Sequence, residues 1–255
     1  MDTLQQHLNP PNLLLGLAPH TPYTVSFADL TATANLAASK RLPFTLHFLE
    51  TPDEAQWLAA GSAGQTSELH KFLAARGMPA DAPTGGPFGL LERAGILAAR
   101  PLLAHVNYID DADLNRLAAA QASVAFCPRA HAFFGHAPHR WRDMLAAGIN
   151  VCLGTDSLAS NSSLSILDEL RYLRRQYEDA PAQTLLEMGT IRAARALGMA
   201  DSIGSLGQGK LADFITIPIG EGARDPIVEI LDSNREVTGV WVNGQPIAFE
   251  PHPEF

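Results

Sequence analysis

Residues 149–157 read INVCLGTDS, an apolar run that stops on a glycine, a hydroxyl and a carboxylate. Four other runs follow the same grammar: NLLLGLAPH (12–20), LPFTLHFLE (42–50), PLLAHVNYI (101–109) and ASVAFCPRA (122–130). They lack the in/out alternation of a half-exposed strand, and so predict parallel strands buried on both faces. Helix-like stretches lie between them. Ser26 predicts an N-cap for a helix over 27–39, further helices are expected over 110–120 and 141–147, and Gly148 is placed to end the last of these. The order βαβα predicts an α/β fold built on a parallel sheet or barrel.

The strand ends are spaced at intervals of one βα unit: 27 residues from His20 to His47, 22 from His105 to Cys127 and 29 from Cys127 to Asp156. The 58 residues from His47 to His105 exceed one unit, and the surplus falls in a Gly/Pro/Ala-rich stretch at about 61–89, read as an insertion over one mouth of the sheet with a helical piece near 68–76. Two helices are expected over 164–178 and 181–197. From about residue 203 the texture becomes β-like, and Asn243-Gly244 between VWV and PIAF is a type I′ hairpin signal. The expected organisation is therefore 1–202 as a partial barrel and 203–255 as a small β module. Five strands are countable where a closed (β/α)₈ barrel needs eight, so either the sheet is open or strands are missing from its N-terminal side.

Composition narrows the function. The 255 residues are 46% hydrophobic and 18% charged, with a net charge of −9, which argues against nucleic acid or an anionic membrane surface as a partner and favours a small molecule. No apolar run approaches the roughly 20 residues that span a bilayer. Two isolated cysteines and a start without a basic or apolar leader pattern lead to the expectation of a cytoplasmic protein, with homo-oligomer formation left open.

The strand ends carry His20, His47 with Glu50, His105, and Asp156. Side chains at the carboxyl ends of parallel strands share one mouth. Three imidazoles and two carboxylates there suit one divalent ion, zinc or alternatively iron, in a hydrolytic site. Each residue has a plainer reading. A lone histidine at a strand end is commonly satisfied by backbone, and Asp156 could merely cap the next helix. His131, His136 and His139 could form a second metal cluster, although their spacing is irregular; a rim loop is the competing reading. Cys127 and Cys152 read as buried, Ser157, Ser160, Asn161 and Ser162 as ordering the loop after Asp156, Arg171, Arg174 and Arg175 as a solvated helix face, and Phe133 and Phe134 as packing beneath their loop.

APHTPYTVS, TLHFLET, LLAHVNYI, VAFCPRAHAFFGHAP, NVCLGTDSLASNSSLSILDELR and GSLGQGKLADFITI resemble, in order, motifs of the metal-dependent amidohydrolase superfamily, in its nucleoside deaminase and chlorohydrolase branch. The resemblance implies strands four to eight of a TIM-like barrel followed by part of a β-sandwich. It makes His47 and Asp156 metal ligands, Glu50 the proton shuttle at a ring nitrogen, His105 the partner of the reacting water, and His20 a substrate contact. Glu50 and Asp156 would also touch substrate. The implied reaction is hydroxide attack on an amino-bearing ring carbon, with Asp156 and His105 assisting deprotonation of water and Glu50 protonating the ring as ammonia leaves. The loop text is most similar to aminodeoxyfutalosine deaminases; methylthioadenosine/S-adenosylhomocysteine deaminases share the motifs. Alternatives are a chlorohydrolase acting on a heterocycle and a non-catalytic binding module.

One feature departs from the pattern. The family's first-strand HxH pair has no counterpart before APHTPY, so only two of four expected ligands are present. The expectation is the C-terminal portion of a longer enzyme that holds metal weakly and is inactive in this form.

Overall fold

A computed structural model of the protein describes residues 14–61, 67–78 and 81–248. The chain divides into two compact units, residues 1–123 with 146–149 and residues 124–145 with 150–255. The fold is α/β with a parallel sheet.

In the first unit, helix α1 (Phe27–Lys40) is capped as expected, with Ser26 Oγ accepting the Asp29 amide at 3.1 Å. Its buried Leu30, Ala34 and Ala37 pack against a 3₁₀ turn at Ile96–Ala99. Strand β1 (Thr45–Phe48) pairs in parallel with β2 (Leu102–His105), Thr45 opposite Leu102 and Phe48 opposite His105. Both alternate half-buried and buried positions, so they are less enclosed than continuous apolar runs suggest. Leu46 and Phe48 are 0% and 2% exposed. The run at 12–20, whose first two residues lie outside the described part, is not a full strand: a single parallel bridge joins Leu17 to Phe44. Its side chains alternate between exposed and half-buried, as at a sheet edge. Helices α2 (Pro52–Ala60), α3 (Glu68–Ala75) and α4 (Gly86–Arg93) follow β1, and α2 packs on both α3 and α4. Helix α3 coincides with the helical piece expected near 68–76. Helix α5 (Asp111–Ala119) is capped by Asp110, whose carboxylate accepts the Asp113 amide at 2.7 Å.

In the second unit, β3 (Ser123–Phe126, of which Ser123 belongs to the first unit) leads into the short helix α6 (Pro128–Phe133), then α7 (Trp141–Ala146) and β4 (Asn150–Leu153). Here the apolar runs are enclosed as expected: Val124, Phe126, Val151 and Leu153 are all buried. Helix α8 is Ile166–Gln176. The single helix expected over 181–197 is two, α9 (Ala182–Met188) and α10 (Ile191–Ala196). They break at Gly189, where an added Cβ would lie 2.9 Å from Leu170 Cδ1 and 3.0 Å from Ile166 Cγ2. That close approach to α8 requires glycine, and glycine weakens the helix it interrupts.

Strands β5 (Phe214–Thr216), β6 (Gly239–Val242) and β7 (Gln245–Pro246) pair antiparallel. The turn at Asn243-Gly244 has φ of 51° and 73°, as a type I′ hairpin requires. A helix that the sequence pattern did not predict, α11 (Pro226–Asp232), lies between β5 and β6 and packs on α8 and α9.

Arg171 corrects the reading of a solvated arginine face. It is 8% exposed, and its guanidinium donates to the carbonyls of Ile230 at 3.2 Å and Arg235 at 2.6 Å. Arg174 is also engaged, with Asp232 at 2.8 Å, and only Arg175 is exposed. Truncating Arg171 leaves two partly buried carbonyls without a donor, so Arg171→Ala is expected to lower unfolding free energy by about 2 kcal/mol. A change below about 0.5 kcal/mol in urea denaturation would show that water replaces the guanidinium at no cost.

Candidate active site

Within the first unit, His20, His47, Glu50 and His105 are brought together at strand ends. The rings of His20 and His47 lie 5.2 Å apart and those of His47 and His105 5.3 Å apart. His47 follows from its register: its amide donates to the His20 carbonyl at 2.8 Å, and the same carbonyl lies 3.2 Å from its ring Nδ1. A carbonyl only accepts, so Nδ1 carries a proton, and the tautomer that fits this bond has its lone pair on Nε2. Metal-binding imidazoles are commonly oriented and fixed as one tautomer by such a bond.

His20 Nδ1 meets Thr24 Oγ1 at 2.8 Å. Burial, and then the neighbouring His47, lower its pKa, favouring the neutral ring. Past β1 the chain reverses at Leu49, with φ of 52°. This bend lets His47 and Glu50, three residues apart, serve one site. Glu50 Oε1 lies 3.9 Å from His105 Nε2, with side chains 20% and 6% exposed respectively.

The second unit contains Asp156 at the end of LGTDS. It does not cap the following helix, because Ser165 does so, its Oγ accepting the Asp168 amide at 3.2 Å. Instead Ser160 Oγ donates to Asp156 Oδ2 at 2.7 Å. Asn161 Nδ2 donates to the Thr155 carbonyl at 2.7 Å and to the buried Glu169 at 2.6 Å. These bonds order the loop as the sequence suggested for Ser160 and Asn161. Gly154 permits the approach of β3, since a Cβ there would lie 3.0 Å from Cys127 Sγ. Cys127 and Cys152 are both buried, and burial raises both thiol pKa values, that of Cys152 to about 12.

Positive φ marks these positions: 64° at His20, 72° at His105, 53° at Val106 and 58° at Asp156. Left-handed backbone at non-glycine residues carries strain of about 1–3 kcal/mol each and concentrates at functional sites.

His131, His136 and His139 form an aromatic cluster with Phe126, whose ring stacks on His139 at 4.0 Å. Burial and His136 depress the pKa of His131 to about 4. Among the described residues these three do not bring ligand atoms close enough to share an ion. Phe133 and Phe134 do not pack beneath their loop: they are 65% and 52% exposed.

Two further residues hold the Glu50 backbone. Asn107, 5% exposed, donates to the Glu50 carbonyl at 2.9 Å. Glu54, 0% exposed, accepts the Glu50 amide at 2.9 Å. The Thr51-x-x-Glu54 spacing is a capping-box signal that could have found the second; nothing local marks Asn107.

The sequence profile of the amidohydrolase family matches residues 3–247, and the chain belongs to that family. It is 31% identical over 198 residues to an aminodeoxyfutalosine deaminase of Deinococcus radiodurans, covering 76% of this chain and 47% of that protein. It is 30% identical over 249 residues to a 5-methylthioadenosine/S-adenosylhomocysteine deaminase of Saccharophagus degradans, covering 92% and 51%. The crystal structure of an adenosine deaminase from Xanthomonas campestris with bound zinc superposes with a TM-score of 0.77 at 26% identity, covering 96% of this chain and 54% of that one. The chain thus spans about half the length of the relatives it matches.

Proposed function

We propose that this chain supplies the proton-handling groups and part of the metal-holding groups of a hydrolase that deaminates an adenine-type nucleoside. In this reading the segment at 12–20 and β1 to β4 correspond to the last five strands of the family's barrel, within residues 1–202, and residues 203–255 to part of its β-sandwich. By the same reading His47, through Nε2, and Asp156 would hold one divalent cation, zinc in the first instance, and His105 is a further donor of the right chemistry. A cation held there would supply Lewis acidity, making water a nucleophile near neutral pH.

The chain's own groups do the rest. Asp156 and His105 accept the proton released as water attacks the amino-bearing carbon. Glu50 protonates the adjacent ring nitrogen, and His20 contacts the substrate. The observation that supports this most directly is the His47 ring, pinned at Nδ1 by the His20 carbonyl beside the Glu50–His105 pair. The deaminase names of the relatives agree with it.

Zinc titration and ammonia release test the proposal together. Added zinc is expected to bind weakly, to lose more than about tenfold in affinity in His47→Ala, and to support ammonia release from an adenine nucleoside once the family's HxH ligand pair is supplied. Zinc binding indifferent to His47, with no ammonia from any of a panel of adenine nucleosides, would overturn it. Chloride release from a chlorotriazine without ammonia release would retain the site and replace the substrate class.

A further inference from the structure

Glu54 sits in the first turn of α2, and its carboxyl faces away from solvent. Thr51 caps the helix in the usual manner, its Oγ1 accepting the Glu54 amide at 3.1 Å. The Glu54 carboxylate reaches back beyond the cap, where Oε2 accepts the Glu50 amide at 2.9 Å and the Leu49 and Thr51 amides also stabilise it. Its other oxygen, Oε1, is buried without a hydrogen-bond partner.

A carboxyl kept in this state is costly. A capping box needs only the reciprocal bond to the cap residue, which an exposed glutamate provides. The surplus is explained by what the carboxyl grips. Glu50 has its amide held by Glu54 and its carbonyl held by Asn107 at 2.9 Å, so buried side chains take both of its backbone polar groups. The grip falls immediately after the left-handed Leu49, whose carbonyl accepts the Asn107 amide at 3.0 Å, and beyond the last residue of β1.

We propose that Glu54 is a positioning residue: it clamps the backbone of Glu50 and thereby aims the Glu50 carboxylate at its place 3.9 Å from His105 Nε2. The role of that carboxylate rests on the function proposed above; the clamp does not. Burial raises the Glu54 carboxyl to about 7, with the nearby Glu50 charge adding to the rise and the three amides opposing it. The clamp is thus an acceptor in either protonation state.

Amide hydrogen exchange of the isotope-labelled chain tests the clamp without turnover. In the native chain the Glu50 amide is expected to be protected. Glu54→Gln keeps a carbonyl acceptor and should stay within about threefold of it. Glu54→Met, of similar length without an acceptor, should lose at least about tenfold while the Leu58 amide inside α2 keeps its protection. With substrate, Glu54→Met should lower kcat about tenfold at unchanged KM, and Glu54→Gln should restore most of it.

Rapid exchange of Glu50 in the native chain, or equal protection in all three proteins, overturns the inference even if Glu54→Met fails to fold. Protection that follows the expected order in a chain without deaminase activity sustains the clamp and counts against the proposed function instead.

Discussion

In an enzyme completed with the family's HxH ligand pair, Glu50→Gln is expected to lower turnover of an adenine-type substrate by about 10²- to 10⁴-fold and to change zinc content far less, because the amide retains the size of the side chain and loses its titratable proton. The geometry favours a transfer role over a ligand role. Glu50 is three residues past His47, beyond the reversal at Leu49, and its carboxylate approaches His105 at 3.9 Å. Its backbone is held at both ends, so the substitution should not displace the turn. Asp156→Ala should behave differently, removing zinc binding and turnover together. Metal analysis beside steady-state kinetics separates the two outcomes. Unchanged kcat in the Gln variant would remove Glu50 from the chemistry, and loss of zinc in the same variant would make it a ligand.

The second large effect concerns stability and pH. Glu54 has an ordinary carboxyl pKa of 4.5 when unfolded and about 7 when folded, chiefly through burial. Between these values the native state binds the extra proton, so the stability contributed by protonated Glu54 is complete below pH 4.5 and is lost as pH rises through 7. A rise from 4.5 to about 7 corresponds to about 3 kcal/mol.

The groups that face Glu54 are Glu50, whose charge adds to the effect, and Tyr23, itself pushed up to about 12 by burial and by Glu54 and Glu50. His131 acts in the opposite direction. Its pKa is depressed to about 4, so the unfolded chain takes up its proton first and stability falls as pH drops below the ordinary histidine value of 6.5. His20 and His136, also lowered by burial, act as His131 does, and Glu169 and Asp113, raised by burial, act as Glu54 does, so the native profile alone blends several slopes. The difference between the native chain and Glu54→Gln isolates one of them. Urea denaturation from pH 4.5 to 7.5 should show the native chain losing about 3 kcal/mol relative to the Gln variant; parallel profiles would mean that the folded carboxyl titrates near its ordinary value.

Much of this was legible from local text. Parallel-strand runs ending on His47, His105 and Asp156 were visible because apolar enclosure and a polar terminus are properties of consecutive residues. Caps at Ser26 and Asp110, and the Asn243-Gly244 turn, follow from single side chains meeting their own backbone. The helix at 226–232 was missed although Asp225-Pro226 is a start signal, because its environment read as β. The break at Gly189 depends on Leu170 and Ile166, nineteen and more residues earlier. Arg171 read as a surface residue because its acceptors, Ile230 and Arg235, lie some sixty positions away.

The order of strands β1 to β4, the identity of the titratable groups at strand ends and membership in the amidohydrolase family were set by the sequence alone, since each depends on residue type and spacing. The tertiary structure decided the states of those groups. Which nitrogen of His47 keeps its proton, whether Asp156 caps a helix, and why a glutamate at position 54 resists ionisation all depend on atoms distant in the chain. Electrostatic and hydrogen-bond energies depend on distance through space, which spacing along the chain does not reveal.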